Sequence, residues 1–189
     1  RTEEHAIVYA LIEINDVAAT RRGLTSKMPN TQRCALVALD QMDAGDLGAD
    51  DVVSLVAAED AELQRTAANI FGRHADWAFR SAEVISRLLE DPDSTDQSAA
   101  MIRRLTTKSL AEDSVARLIG RLLAEAQTPP PRRDLLLHAI SDGQAVPLHA
   151  SWVEPLERLF DSARRQTPEK SDPEVSPFPQ LERIITALA

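Results

Sequence analysis

Apolar positions along the chain recur at three- and four-residue spacing in blocks, and the blocks themselves recur. Thr31-Gln32-Arg33-Cys34-Ala35-Leu36-Val37-Ala38-Leu39 is matched by Leu63-Gln64-Arg65-Thr66-Ala67-Ala68-Asn69-Ile70-Phe71 at an offset of 32 residues. Residues 6–14 echo this block upstream, residues 98–105 continue it downstream, and residues 133–140 form a looser fifth copy. After each block comes a short break and a second periodic segment. The stripes there are Ala78, Ala82, Ile85 and Leu89, then Val115, Leu118, Ile119 and Leu122, then Val153, Leu156, Leu159 and Phe160. Such spacing puts one apolar face on each helix. A period of this length, with two helices in it, marks stacked helical hairpins.

The breaks carry helix punctuation. Asp16, Asp60 and Asp76 each stand where a helix N-cap is needed. Ser94, Ser109 and Ser151 are each followed three residues later by Gln97, Glu112 and Glu154, the reciprocal capping pattern. The pattern predicts paired helices at 3–14 and 16–24, 30–42 and 49–58, 61–73 and 76–90, 94–106 and 110–126, and 131–141 and 151–165. A last helix is expected at 178–188, after a Pro-rich loop over 166–179. Leu36, Ile70, Ile85, Leu118 and Leu137 are the expected core. The fold class read from this is all-α: a right-handed α-α superhelix, a HEAT-like solenoid of about five hairpins, occupying 1–189 as a single domain.

Composition sharpens the reading. The 28 Ala and 22 Leu favour helices packed closely through aliphatic side chains, and only 7 aromatics are present. The net charge of −9 disfavours a phosphate-binding surface. The local basic spots, Arg103-Arg104 with Lys108 and Arg132-Arg133, lack the interleaved aromatics of a nucleic-acid platform. No apolar run is long enough for a membrane span. The chain begins at Arg1 rather than Met and ends within a helical pattern, so a piece of a longer protein is expected.

Residues 67–77, Ala-Ala-Asn-Ile-Phe-Gly-Arg-His-Ala-Asp-Trp, resemble HEAT repeats of the phycobilisome-lyase-like class. That class favours an Arg followed by small residues and a helix end at Gly. Arg65 and Gly72 match, Phe71 replaces the usual Leu, and in the stretch 34–47 Asp40 takes the Gly position. With Glu4-His5-Ala6 and Leu39-Asp40-Gln41-Met42-Asp43, the first 90 or so residues also look like the helical-repeat region of planctomycete-type multidomain proteins. There the repeats lie between a propeller-like dehydrogenase domain and a c-type haem domain, which would imply an extracytoplasmic location. The haem motif Cys-x-x-Cys-His and propeller repeats do not occur here, so neither activity carries over.

Candidate chemistry is sparse. His5, His74, His138 and His149 are not spaced as metal ligands, and the lone Cys34 excludes an internal disulfide. There is no Gly-x-Ser-x-Gly elbow and no Gly-rich phosphate loop. No cofactor, catalytic residue or metal ligand is expected. Asp43-Ala44-Gly45-Asp46 has the look of a calcium loop without its ligand alternation. Trp77 and Trp152 each follow an expected cap, where a large aromatic closes the apolar top of a hairpin or anchors a partner. Between Arg33 and Arg65 stand eight acids and no Lys or Arg.

These features point to a non-catalytic scaffold or spacer that contacts proteins or neighbouring domains of the same chain, not nucleic acid. The alternative is a HEAT-like enzyme such as a DNA-base glycosylase or chromophore lyase. Candidate partner-binding residues are Asp43, Asp46, Asp50 and Asp51 on the acidic stretch. The outer faces of the second helices add Arg80, Glu83, Arg87, Arg117 and Arg121, with Glu157 and Asp161 further along. Neutralising the four Asp residues is expected to slow association without changing the melting transition.

Overall fold

In the computed structural model, residues 2–90, 96–143 and 147–166 are described. The protein is all-α, with no strand among the described residues. The span 1–189 divides into two compact units, Arg1–Asp91 and Pro92–Ala189.

In the first unit α1 (Thr2–Ile14) is followed by the short α2 (Val17–Arg22) and a 3₁₀ turn, Gly23–Thr25. Then come α3 (Pro29–Gln41), α4 (Ala49–Val56), α5 (Ala61–Phe71), a second 3₁₀ segment (Ala75–Arg80) and α6 (Ser81–Glu90). Helices pack both on the helix two positions away, α1 on α3, α3 on α5 and α4 on α6, and on their sequence neighbours, α4 on α5 and α2 on α3. The second unit holds α7 (Asp96–Lys108), α8 (Asp113–Ala124), α9 (Pro130–Asp142) and α10 (Ala150–Gln166). Here α7 lies on α9 and α8 on α10, the same alternation.

Local chemistry sets these boundaries. The Asp16 carboxylate accepts the Ala19 N–H at 2.8 Å, and Asp60 does the same for Leu63 N–H at 2.8 Å, so both are the caps expected. Asn15 ends α1 in the left-handed region at φ 53°, which Asn tolerates better than most residues. Pro29 and Pro130 open α3 and α9, where no intrahelical N–H is needed. Leu36, Ile70, Ile85, Leu118 and Leu137 are all buried, as the periodicity requires.

Four expectations need correction. Asp76 does not cap a continuous helix over 76–90: His74 precedes a 3₁₀ segment, and α6 begins only at Ser81. Ser109 is not the cap of α8, which starts at Asp113 after Glu112. Ser151 lies inside the first turn of α10, preceded by His149. Val153 is exposed, because Trp152 and Leu156 take the inward positions of α10. The expected helix at 178–188, the loop over 166–179 and the cap at Ser94 fall largely or wholly outside the described residues.

Candidate functional site

The acidic stretch turns out to be largely partnered within the first unit. Asp51 opens α4: its Oδ2 accepts the Gly48 N–H at 3.0 Å and meets Arg21 Nη1 at 2.6 Å. Arg21 also bonds the Asp46 carbonyl and lies 3.8 Å from its carboxylate. On the other side, Asp50 meets Arg80 Nη1 at 2.8 Å, Arg80 Nη2 meets Glu83 at 2.7 Å, and Glu83 meets Arg87 at 2.8 Å. Asp50, Arg80, Glu83 and Arg87 therefore form one continuous polar chain joining α4 to α6. Of the four candidate acids only Asp43 has no ion pair among the described residues.

The remaining acids between Arg33 and Arg65 are also partly committed to structure. Glu62 of α5 holds Arg65 at 3.0 Å and Arg33 of α3 at 3.4 Å, and Arg33 also bonds Glu4 of α1. Asp40, its side chain only 7% exposed, bonds Arg73 and receives His74 Nε2 at 2.8 Å. In the second unit Arg117 pairs with Asp113 at 2.7 Å and Arg121 lies 4.0 Å from Glu125. Glu157 and Asp161 are exposed on α10.

The structure brings forward a motif that periodicity did not single out. The tetrapeptide His-Ala-x-Trp occurs twice, at 74–77 and 149–152. At both places the His carbonyl accepts the Trp N–H, at 3.2 and 2.9 Å, and the indole is buried. His74 stacks on Trp77 with centroids 3.8 Å apart and bonds Asp40 of α3. His149 reaches Asp113 of α8 through Nε2 at 3.1 Å, and Nδ1 lies 2.8 Å from Ser151 Oγ. The Ser151 N–H can only donate, and it lies 3.2 Å from the same Nδ1. Nδ1 is therefore the acceptor, and Nε2 carries the proton that faces Asp113. Trp152 Nε1 donates to the Ala116 carbonyl at 2.6 Å. Each tetrapeptide thus clasps the start of a second-position helical segment to an earlier helix of its own unit.

Asp113, His149 and Ser151 have the residue types of a nucleophilic triad, yet the hydroxyl points into packing. Ser151 Oγ lies 3.2 Å from the Ala116 carbonyl and abuts Gly120. A usable nucleophile needs its oxygen beside a space for the reacting carbonyl, and this one faces helix α8. Cys34 lines a groove of about 490 Å³ between α1 and α3, with Val8, Ile12 and Val37. Burial pushes its thiol pKa up, Glu4 adds to the rise, and Arg33 opposes it. That is the opposite of an activated thiolate. Among the described residues no group of three His, Cys, Asp or Glu side chains is placed to hold a metal ion, and no helix is long and apolar enough to cross a membrane.

No family model matches the chain, no curated protein matches it in sequence, and no solved structure matches it.

Proposed function

We propose that this chain is a non-catalytic helical-repeat module that contacts proteins or neighbouring domains through the side-chain rows left on the outside of its stacked helices. The observation that carries this reading is the alternating packing. Helices lying on the helix two positions away spend their apolar faces on one another, which leaves extended polar surfaces. The HEAT-like solenoid is part of this proposal, as is membership in a larger multidomain protein. The Asp50–Arg80–Glu83–Arg87 chain supports it by holding long side chains in fixed positions on one surface. The inward-facing Ser151 and the raised Cys34 pKa weigh against a hydrolytic or thiolate enzyme.

Internal pairing refines the binding residues. Asp46, Asp50 and Asp51 are partly neutralised, so Asp43 is the acid best placed to attract a basic partner. Replacing all four with Asn therefore lowers stability too, because Arg21 and Arg80 lose their charged partners and the first turn of α4 loses two negative charges. Photo-crosslinking tests the reading. A benzophenone side chain is placed at Asp43, Arg87 or Arg103 of the full protein in its native cell. Discrete protein adducts from 43 or 87, absent at the exposed control Arg103, are expected. Adducts equally strong at all three, or nucleic-acid adducts alone, would overturn it.

A further inference from the structure

The first helices of the Arg1–Asp91 unit are assembled by one rule. α3 touches α1 and α5, and Arg33 stands between them, bonding Glu4 on one neighbour and Glu62 on the other. Each junction therefore combines aliphatic contact with a Glu–Arg pair.

α1 obeys only half of this rule. Val8, Leu11 and Ile12 are half-buried, and Val8 and Ile12 border the groove shared with α3. A second stripe, Glu3, Ile7, Ala10 and Ile14, follows four-, three- and four-residue steps and so lies along one side of the helix. All four are exposed, with Ile7 at 51% and Ile14 at 70%, and neighbouring Tyr9 is 64% exposed. None of residues 3–14 is buried, although most are apolar. A helix that is apolar on more than one side belongs between two neighbours.

The charges say which neighbour. α1 carries Glu3, Glu4 and Glu13 and no Lys or Arg. Arg33 neutralises Glu4, whereas Glu3 and Glu13, near the two ends of the exposed stripe, have no ion pair among the described residues. A second copy of α1 would set Glu against Glu whether it ran parallel or antiparallel, and like charges so placed repel.

We infer that the Ile7–Ala10–Ile14 stripe of α1 docks an amphipathic helix of a partner protein, with aliphatic residues at three- and four-residue spacing and Arg or Lys near both ends. The inference rests on the interaction-module reading and names one surface and one kind of partner for it. A 13-residue helix is about 20 Å long, so three to four turns of partner cover it. This is helix-on-helix recognition with apolar anchors and a charged rim.

The probe is a fluorescein-labelled amphipathic peptide with Leu at the anchor positions and Arg at both ends, titrated by anisotropy against the full chain. Two control peptides replace the terminal Arg with Glu, or the Leu with Ser. The variants Ile7→Gln/Ile14→Gln and Glu3→Gln/Glu13→Gln alter exposed residues, and unchanged melting verifies their fold. Expected is binding of the Arg–Leu peptide that weakens at least tenfold with either control peptide and with the Ile7→Gln/Ile14→Gln chain. Glu3→Gln/Glu13→Gln should flatten its salt dependence. Equal binding of the controls, equal binding by the Ile variant, or no binding would overturn the inference. So would a wild-type dimer in sedimentation velocity that Ile7→Gln/Ile14→Gln abolishes, since the occupant would then be a second copy. None of these failures touches the crosslinks expected at 43 and 87, so the broader reading keeps its separate test.

Discussion

Gly120→Ala is a sensitive probe of how α8 meets α10. Helix propensity alone favours Ala in a helix interior by about 1 kcal/mol. The packing argues the other way. A Cβ on Gly120 would lie 2.6 Å from the Ser151 carbonyl oxygen, 2.6 Å from its Oγ and 2.8 Å from its Cβ. The carbonyl is free to come this close because Pro155, four residues on inside α10, has no N–H to bond it. A backbone oxygen cannot swing aside as a flexible side chain does. Restoring ordinary contact requires the start of α10 to withdraw by roughly 0.8 Å. That movement stretches the Trp152–Ala116 hydrogen bond, now 2.6 Å, and disturbs His149 between Asp113 and Ser151. Overpacking of this kind costs about 1–3 kcal/mol and a weakened hydrogen bond about 1 kcal/mol more. Set against the propensity gain, the net expectation is a loss of about 1–3 kcal/mol. The chain has two Trp residues, one in each unit, so 5-fluorotryptophan labelling gives one ¹⁹F signal for each. Urea titration should show an earlier transition for the Trp152 signal. A Gly120→Ala chain as stable as wild type, or more stable, would refute the close approach.

The other expectations follow from single contacts. His149→Ala should destabilise the second unit by about 1–2 kcal/mol, the range for a lost cap, and the same urea titration reads it. Thr106 is fully buried and its hydroxyl has no hydrogen-bond partner among the described residues, so Thr106→Val, of nearly the same shape, should raise the melting temperature of the second unit in calorimetry. Cys34 should react with iodoacetamide more slowly in the folded chain than in urea, at a rate still climbing with pH after a free thiol has levelled off. Because folding raises this pKa, its contribution to stability is present below the ordinary thiol value and is lost as pH rises through the folded one.

Helix positions were the most legible part of the sequence, because three- and four-residue spacing needs no knowledge of neighbours. Asp16 and Asp60 were readable as caps for the same reason: a cap acts within three residues. Ser109 and Ser151 failed because the reciprocal capping pattern is short and common, and tertiary contacts decide whether it is used. At 149–154 the imidazole of His149 takes the Ser151 N–H, and Pro155 reshapes the turn that follows. Val153 was misassigned inward since an apolar stripe at this spacing can be drawn through either 152 or 153, and Trp152 has far more surface to bury. The acidic stretch looked like a free patch because its partners, Arg21, Arg73 and Arg80, lie outside it in sequence and meet it only through helix packing. The repeated His-Ala-x-Trp is legible in the sequence as a matching tetrapeptide ahead of two second-position helical segments.

The claim on which the functional reading stands is that helices pack on the helix two positions away and leave their outer sides for partners. Methyl nuclear Overhauser spectroscopy on Ile, Leu and Val side chains tests it most directly. Contacts from Val8 and Ile12 of α1 to Val37 of α3, together with contacts between α3 and α5 methyls, are predicted. Ile7 and Ile14 should show no contact beyond α1 and its immediate flanks. Cross-peaks linking α1 directly to α5, or placing Ile7 and Ile14 within the core, would contradict the account.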